Sequence, residues 1–150
     1  MRLRALLLTF VPLTLSACLG DSSTKTDYPL VPIESTTFAT SLGVNLAAST
    51  KTASGLYYRD ITVGTGTTIA AGQTLNVKYS GALANGSVFD AGTYSFTIPG
   101  SVIQGWNEGL LGMKVGGSRQ LIIPPSLGYG ANGSGPIPPN AVLVFTVQPQ

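Results

Sequence analysis

From Ser54 onward apolar and polar residues alternate in short runs that Gly and Pro interrupt, which is the signature of strands joined by turns. The pattern predicts strands over 56–62, 74–83, 94–98, 118–123 and 141–147. In the second of these, Leu75, Val77, Tyr79 and Leu83 fall on one face, and Asn76, Lys78 and Ser80 on the other. That alternation predicts a sheet with one dry and one wet face. Asn85-Gly86 follows as a tight turn, since both residue types tolerate positive φ. Helical spacing occurs once, where Ile103, Trp106, Leu110 and Leu111 stand at i, i+3, i+7 and i+8, with Gln104, Asn107 and Glu108 turned away from the stripe. Gly105, Gly109 and Gly112 each weaken such a helix by up to about 1 kcal/mol, so packing against the sheet must hold it. The expected class is α+β: a curved antiparallel sheet wrapped around one short helix.

Upstream the pattern changes. Met1-Arg2-Leu3-Arg4 is basic and the next thirteen residues, 5–17, are apolar, too few for the ~20 residues that span a bilayer. Residues 1–17 therefore read as a cleaved signal peptide. The end of this stretch, Leu15-Ser16-Ala17-Cys18, resembles the bacterial lipobox, which implies lipidation at Cys18. Acyl chains add about 0.8 kcal/mol per buried methylene, enough to hold a protein on a membrane without a spanning helix. Leu19 after the cysteine implies the outer membrane, with the protein facing the periplasm. Residues 18–53, rich in Ser, Thr and Ala, read as a flexible tether in which the apolar piece 38–46 is able to pack on the domain. The expected organisation is leader 1–17, tether 18–53 and folded domain 54–150.

Charge narrows the function. Only 9% of residues are charged, against roughly 25% in an average domain. The net charge of +2 comes from Arg2 and Arg4; the remaining bases and acids balance, and no basic stripe is present to neutralise phosphates, which argues against nucleic acid. The chain has no histidine, so a Ser-His-Asp triad, a Cys-His dyad and a His-ligated metal are excluded. A single cysteine makes no internal disulfide and no thiolate cluster. Two motif spellings are decoys. Ser22-Ser23-Thr24-Lys25 matches SxxK but lacks a strand-helix context. Gly128 to Gly133 spells GxGxxG but follows a Pro-Pro pair and opens no helix. No metal or cofactor is expected.

Six blocks in order then carry a resemblance. Val77-Lys78-Tyr79-Ser80-Gly81, Gly86-Ser87-Val88-Phe89-Asp90, the stretch from Val102 to Leu110 with Trp106 at its centre, Gly112-Met113-Lys114-Val115-Gly116, the stretch from Ile123 to Gly130, and Ile137-Pro138-Pro139-Asn140-Ala141-Val142-Leu143-Val144-Phe145 resemble the FKBP-type peptidyl-prolyl cis/trans isomerases over 54–148. Aromatic residues in a lightly charged domain commonly form a plain core. The resemblance instead implies a shallow pocket lined by Tyr79, Phe89, Val102, Ile103, Trp106, Tyr129, Ile137 and Phe145, with the Trp106 indole beneath a proline ring. It implies a further aromatic wall from Tyr94 or Phe96, and catalytic roles for Asp90 beside the Tyr79 hydroxyl and for the Ile103 N–H and Tyr129 hydroxyl as donors. Residues 91–101 form a shorter loop than in small single-domain members, with Pro99 where Gly is usual, and 133–136 is one residue short. The implied partners are proline-containing unfolded or partly folded proteins of the cell envelope and macrolide inhibitors, and a monomer is expected. A non-catalytic chaperone or proline-peptide binding module, and an envelope lipoprotein with a vestigial fold, are the alternatives.

Overall fold

The computed structural model describes residues 28–150, so the proposed leader, Cys18 and the first part of the tether lie outside the described residues. Six antiparallel strands, β1 (Thr50–Lys51), β2 (Tyr57–Thr62), β3 (Thr74–Leu83), β4 (Val88–Thr97), β5 (Ser118–Ile123) and β6 (Leu143–Pro149), form one sheet in the order β1-β2-β5-β6-β3-β4. One helix, α1 (Gln104–Gly109), packs on it, giving the expected α+β class. β3 and β5 have the bounds their alternation predicts.

The helix seats closely because two glycines face β5. A Cβ at Gly105 would stand 2.6 Å from Ile123 Cγ2, and one at Gly109 would stand 2.7 Å from Leu121 Cδ2. The residues that weaken α1 intrinsically are thus the ones that let it touch the sheet. Leu75, Val77, Leu121, Ile123, Leu143, Phe145 and Val147 project to this helix face and pack with Trp106 and Leu110. Arg119, only 5% exposed, closes the end of α1: its Nη1 donates to the carbonyls of Gly109 at 2.9 Å and Leu111 at 3.4 Å. Its Nε and Nη2 donate to the Asp60 carboxylate at 2.6 and 2.9 Å, so the buried charge is fully paired. Leu111, placed in the apolar stripe by spacing, is 43% exposed because the helix ends at Gly109.

Three expectations change. The region 91–97, expected as loop and a short strand from 94, is one continuous ten-residue β4, paired with β3 from Thr97 to Val88 with a bulge at Phe89. At the preceding turn only Gly86 has positive φ, +89°, while the Asn85 Oδ1 accepts the Ser87 N–H at 2.9 Å. The largest change concerns the tether. Residues 33–48 form three 3-10 turns across the back of the sheet, so the apolar piece 38–46 packs on the domain as expected and the cover reaches beyond it on both sides. Ile33 is buried there with Tyr57, Ile122, Val142 and Val144, and Phe38, Leu42, Val44 and Leu46 pack around them. The face expected to be wet is therefore partly covered, and the folded unit begins well before residue 54.

Candidate functional site

A cavity of about 410 Å3 opens to solvent where β3, β4 and β6 meet the start of α1. Tyr79, Phe89, Asp90, Tyr94, Ser101, Val102, Ile103, Trp106, Tyr129 and Phe145 line it. Trp106 and Phe145, 5% and 3% exposed, form the closed end, and Tyr94 and Tyr129, 47% and 38% exposed, stand at the mouth. Gly81 makes room for this arrangement: a Cβ there would lie 2.5 Å from the Phe145 ring and 2.8 Å from the Phe89 ring.

The rings brace one another, mostly edge to face. Trp106 meets Tyr79 at 5.2 Å and 75°, Phe145 at 5.4 Å and 86°, and Phe96 at 5.8 Å. Phe89 meets Phe145 at 5.5 Å and 82°. The Trp106 Nε1–H is buried without an acceptor among the described residues, a cost of about 1–3 kcal/mol. Three aromatic contacts at about 0.5–1.5 kcal/mol each, added to the burial of the indole itself, offset it.

Polar groups are few. The Tyr79 hydroxyl donates to Asp90 Oδ2 at 2.7 Å, and that bond, followed by burial and the Asp90 charge, pushes the Tyr79 phenol up to about 12. Tyr79 is thus a neutral donor at any ordinary pH. Ile103 stands at the cap of α1 with its carbonyl accepting the Trp106 and Asn107 N–H groups, while its own N–H has no acceptor among the described residues. The neighbouring loop is fixed by Asn107, whose Oδ1 accepts the Gly100 N–H at 2.8 Å and whose Nδ2 donates to the Gly100 and Val102 carbonyls at 3.2 and 3.4 Å.

The matching family model, FKBP-type peptidyl-prolyl cis-trans isomerase, covers residues 65–149. The chain belongs to the FKBP-type peptidyl-prolyl isomerase family. It is 45% identical over 101 residues to an FK506-binding protein of Neisseria meningitidis serogroup B, covering 63% of this chain and 93% of that protein. It is 47% identical over 100 residues to FK506-binding protein 4 of Dictyostelium discoideum, covering 63% of this chain but 28% of that protein, so it spans well under a third of that relative's length. Among solved structures it is similar to FkpA from Escherichia coli, with a TM-score of 0.64, 38% identity and coverage of 68% of this chain and 50% of that one.

Within this FKBP domain, nine of the ten residues expected at the site, Tyr79, Phe89, Asp90, Tyr94, Val102, Ile103, Trp106, Tyr129 and Phe145, line one cavity. Ile137 does not. It is 5% exposed and packs in the main core, with its backbone held by the Ser134–Ile137 bridge. Of the two candidates for the further aromatic wall, Tyr94 lines the cavity, and Phe96, 8% exposed, stacks behind it at 6.0 Å and supports Trp106. Two residues escaped the sequence reading. Ser101 lines the cavity, and Asn107, assigned to the wet side of the helix by its polarity, is buried and holds the loop. A polar side chain one position past an apolar anchor in a Gly-rich segment is the only signal that pointed to it.

Proposed function

We propose that this domain rotates X-Pro peptide bonds by seating the proline against the Trp106 indole in the 410 Å3 cavity. The observation that carries this reading is an open, aromatic-lined hollow with an unused backbone donor, the Ile103 N–H, at its wall. Resonance sets a barrier of ~18–20 kcal/mol to peptide rotation, and the cis and trans forms of X-Pro differ by only about 1 kcal/mol. No covalent bond needs to break. The twisted amide has lost resonance and polarity, so an apolar hollow solvates it better than the planar amide, and that difference in binding is catalysis. An acceleration of about a hundred thousandfold requires about 7 kcal/mol.

Each residue has a part. Trp106, Phe145 and Phe89 exclude water from the amide; Tyr94 and Val102 form the rim. The Ile103 N–H and the Tyr129 hydroxyl donate to substrate carbonyls on either side of the proline. Asp90 holds Tyr79 as a neutral donor and places its own carboxylate beside the rotating bond. A macrolide carrying a proline-like ring fills the same hollow. The substrates we infer are unfolded or partly folded proteins of the bacterial cell envelope, met by a monomer that Cys18 anchors to the outer membrane. The lipobox-like Leu15-Ser16-Ala17-Cys18 supports the anchor.

A protease-coupled assay on a short X-Pro peptide tests the enzyme. We expect turnover that a macrolide inhibits and that the combined Phe89→Ala, Asp90→Ala and Trp106→Ala variant loses. Full activity in that variant would show that the hollow is not the site. Suppression of aggregation without any rate gain would favour a plain binding module. For the anchor, Cys18→Ser is expected to move the protein from the membrane fraction to the soluble one.

A further inference from the structure

The two edges of the sheet are treated differently. On one side β1 is only two residues long and carries Lys51, and the stretch of β2 beyond it carries Arg59 and Asp60. Short length and charge are the usual means of keeping an edge from pairing with another chain. On the other side β4 runs for ten residues with a single charge, Asp90, no Lys and no Pro. It is the last strand in the sheet.

Its hydrogen-bonding register follows from its neighbours. Ile98 exchanges bonds with the start of β3, its N–H donating to Gln73 and its carbonyl accepting from Gly72, so Ile98 faces inward. The Gln150 N–H donates to the Asn76 carbonyl, so Asn76 turns toward β6 and its partner Ser95 turns away from β3. Alternation then points the N–H and C=O groups of Ala91, Thr93, Ser95 and Thr97 outward. All four residues are exposed, and these backbone groups have no partner among the described residues. The intervening residues on the same strand, Asp90 and Tyr94, line the cavity, and Gly92 between them leaves open space, a Cβ there meeting only the Tyr79 Oη at 4.0 Å.

We propose that the outer edge of β4 is a second binding element, on which an extended stretch of the client polypeptide flanking the bound proline adds as a further strand. The inference rests on the pocket reading above and extends it to the length of chain recognised. The occupant is set by continuity: the strand that offers the free backbone groups also carries the cavity wall, so a chain leaving the cavity past Asp90 and Tyr94 runs onto the edge. A neutral edge favours an uncharged, β-prone client segment. Main-chain pairing requires no particular side chains, which suits a protein meeting many unfolded sequences. A strand placed there would lie ~4.8 Å outside β4 and project alternate side chains beside Gly92 and Tyr94.

Thr93→Pro in the full chain tests this. Its N–H points outward, so proline removes an edge donor without removing a bond to β3, and the preceding Gly92 tolerates it. Turnover of an X-Pro tetrapeptide, which reaches only the cavity, is expected to stay within about twofold, while affinity for a peptide long enough to run along β4 falls about fivefold, the equivalent of one net hydrogen bond. Hydrogen exchange gives a measurement that needs no variant: the long peptide should protect the Ala91, Thr93 and Ser95 amides and the tetrapeptide should not. If Thr93→Pro fails to fold, Thr93→Lys with Ser95→Lys places charge on the same edge and should weaken the long peptide alone. Unchanged affinity with unchanged exchange would overturn the proposal, as would protection of these amides at high protein concentration without peptide, which would assign the edge to a second copy. A wild-type protein inactive on the tetrapeptide but still protected by the long peptide would remove the pocket reading and leave edge binding supported.

Discussion

The two faces of the sheet bury similar apolar rows but cover them differently. On the helix face a six-residue α1 is too short to cover the aromatic rows, and the uncovered part is the cavity under Trp106. On the back face residues 33–48 lie across Tyr57, Ile122, Val142 and Val144 and are fastened at several points. The Gln120 Nε2 donates to the Leu42 carbonyl at 2.7 Å, Arg59 Nη2 to the Gly43 carbonyl at 2.8 Å, and the Ala39 N–H to the Ala84 carbonyl at 2.8 Å. Glu34 accepts from both Lys51 and the Tyr57 hydroxyl. The difference teaches that a hollow, the proposed recognition site, is left where cover is incomplete, and stability is built where cover is fastened. Changes on the back face should therefore move stability and leave turnover, and changes at the cavity should do the reverse.

The strongest way to break this comparison is to remove the cover. A chain starting at Ser49 loses Ile33 and the side chains packed around it, and we expect a stability loss of about 3 kcal/mol or more, roughly 12 °C in Tm by thermal denaturation. Below its transition the truncated domain should still turn over an X-Pro tetrapeptide; loss of activity in the folded fraction would tie the back face to the site. Asn107→Ala comes next. Freeing the part-buried Gly100 N–H and the Gly100 and Val102 carbonyls should cost about 2 kcal/mol and raise KM more than it lowers kcat, because the loop carrying Ser101, Val102 and Ile103 loosens while the rings stay in place. Phe89→Ala removes a half-buried ring from the cavity wall and should lower kcat/KM about tenfold with a smaller change in Tm than an Ile33→Ala variant shows.

The smallest effects are in pH. Hydrogen bonds from Lys51 and then Tyr57 lower the Glu34 carboxyl from 4.5 to about 2. Its stabilising part is present above about pH 4.5 and disappears as pH falls toward 2, so Glu34→Gln should flatten the acid limb of a stability curve. At the cavity the sign is opposite: Tyr79, raised from 10.0 to about 12, contributes below pH 10 and loses that contribution as pH rises through 12. In Asp90→Asn the phenol should ionise earlier in an ultraviolet titration. The acid handle thus belongs to the back face alone, whereas alkaline handles lie on both faces, since the bond to Glu34 also raises Tyr57 and Lys51.

How much was legible follows the same division. β3 and β5 declared their bounds by alternation, and the aromatic positions of the cavity were marked by ordered sequence blocks. β4 was read short because Asp90-Ala91-Gly92-Thr93 has turn-like composition, and only pairing with β3 overrides that preference. The packing of 38–46 was legible as an apolar piece, but the full cover from 33 to 48 was not, because these residues have no strand or α-helix period, only 3-10 turns too short to leave one. Yet a clue existed. Leu121-Ile122-Ile123 and the run from Val142 to Phe145 are apolar without interruption, which a sheet with one wet face does not permit. Those runs required something to cover Ile122 and Val144. Ile137 does not line the hollow and lies in the main core, because sequence blocks mark which residues belong together, not which side of a loop faces the hollow.

The proposed catalysis requires contact between a proline ring and the Trp106 indole while the amide turns. Nuclear Overhauser contacts measured on a labelled X-Pro peptide, together with its cis/trans exchange rate, address this in one sample. We expect proline ring protons to contact the Trp106 indole under conditions where the protein accelerates exchange, and both signals to vanish when a macrolide is added. Accelerated exchange with no contact to Trp106, or contact with no acceleration, would contradict it.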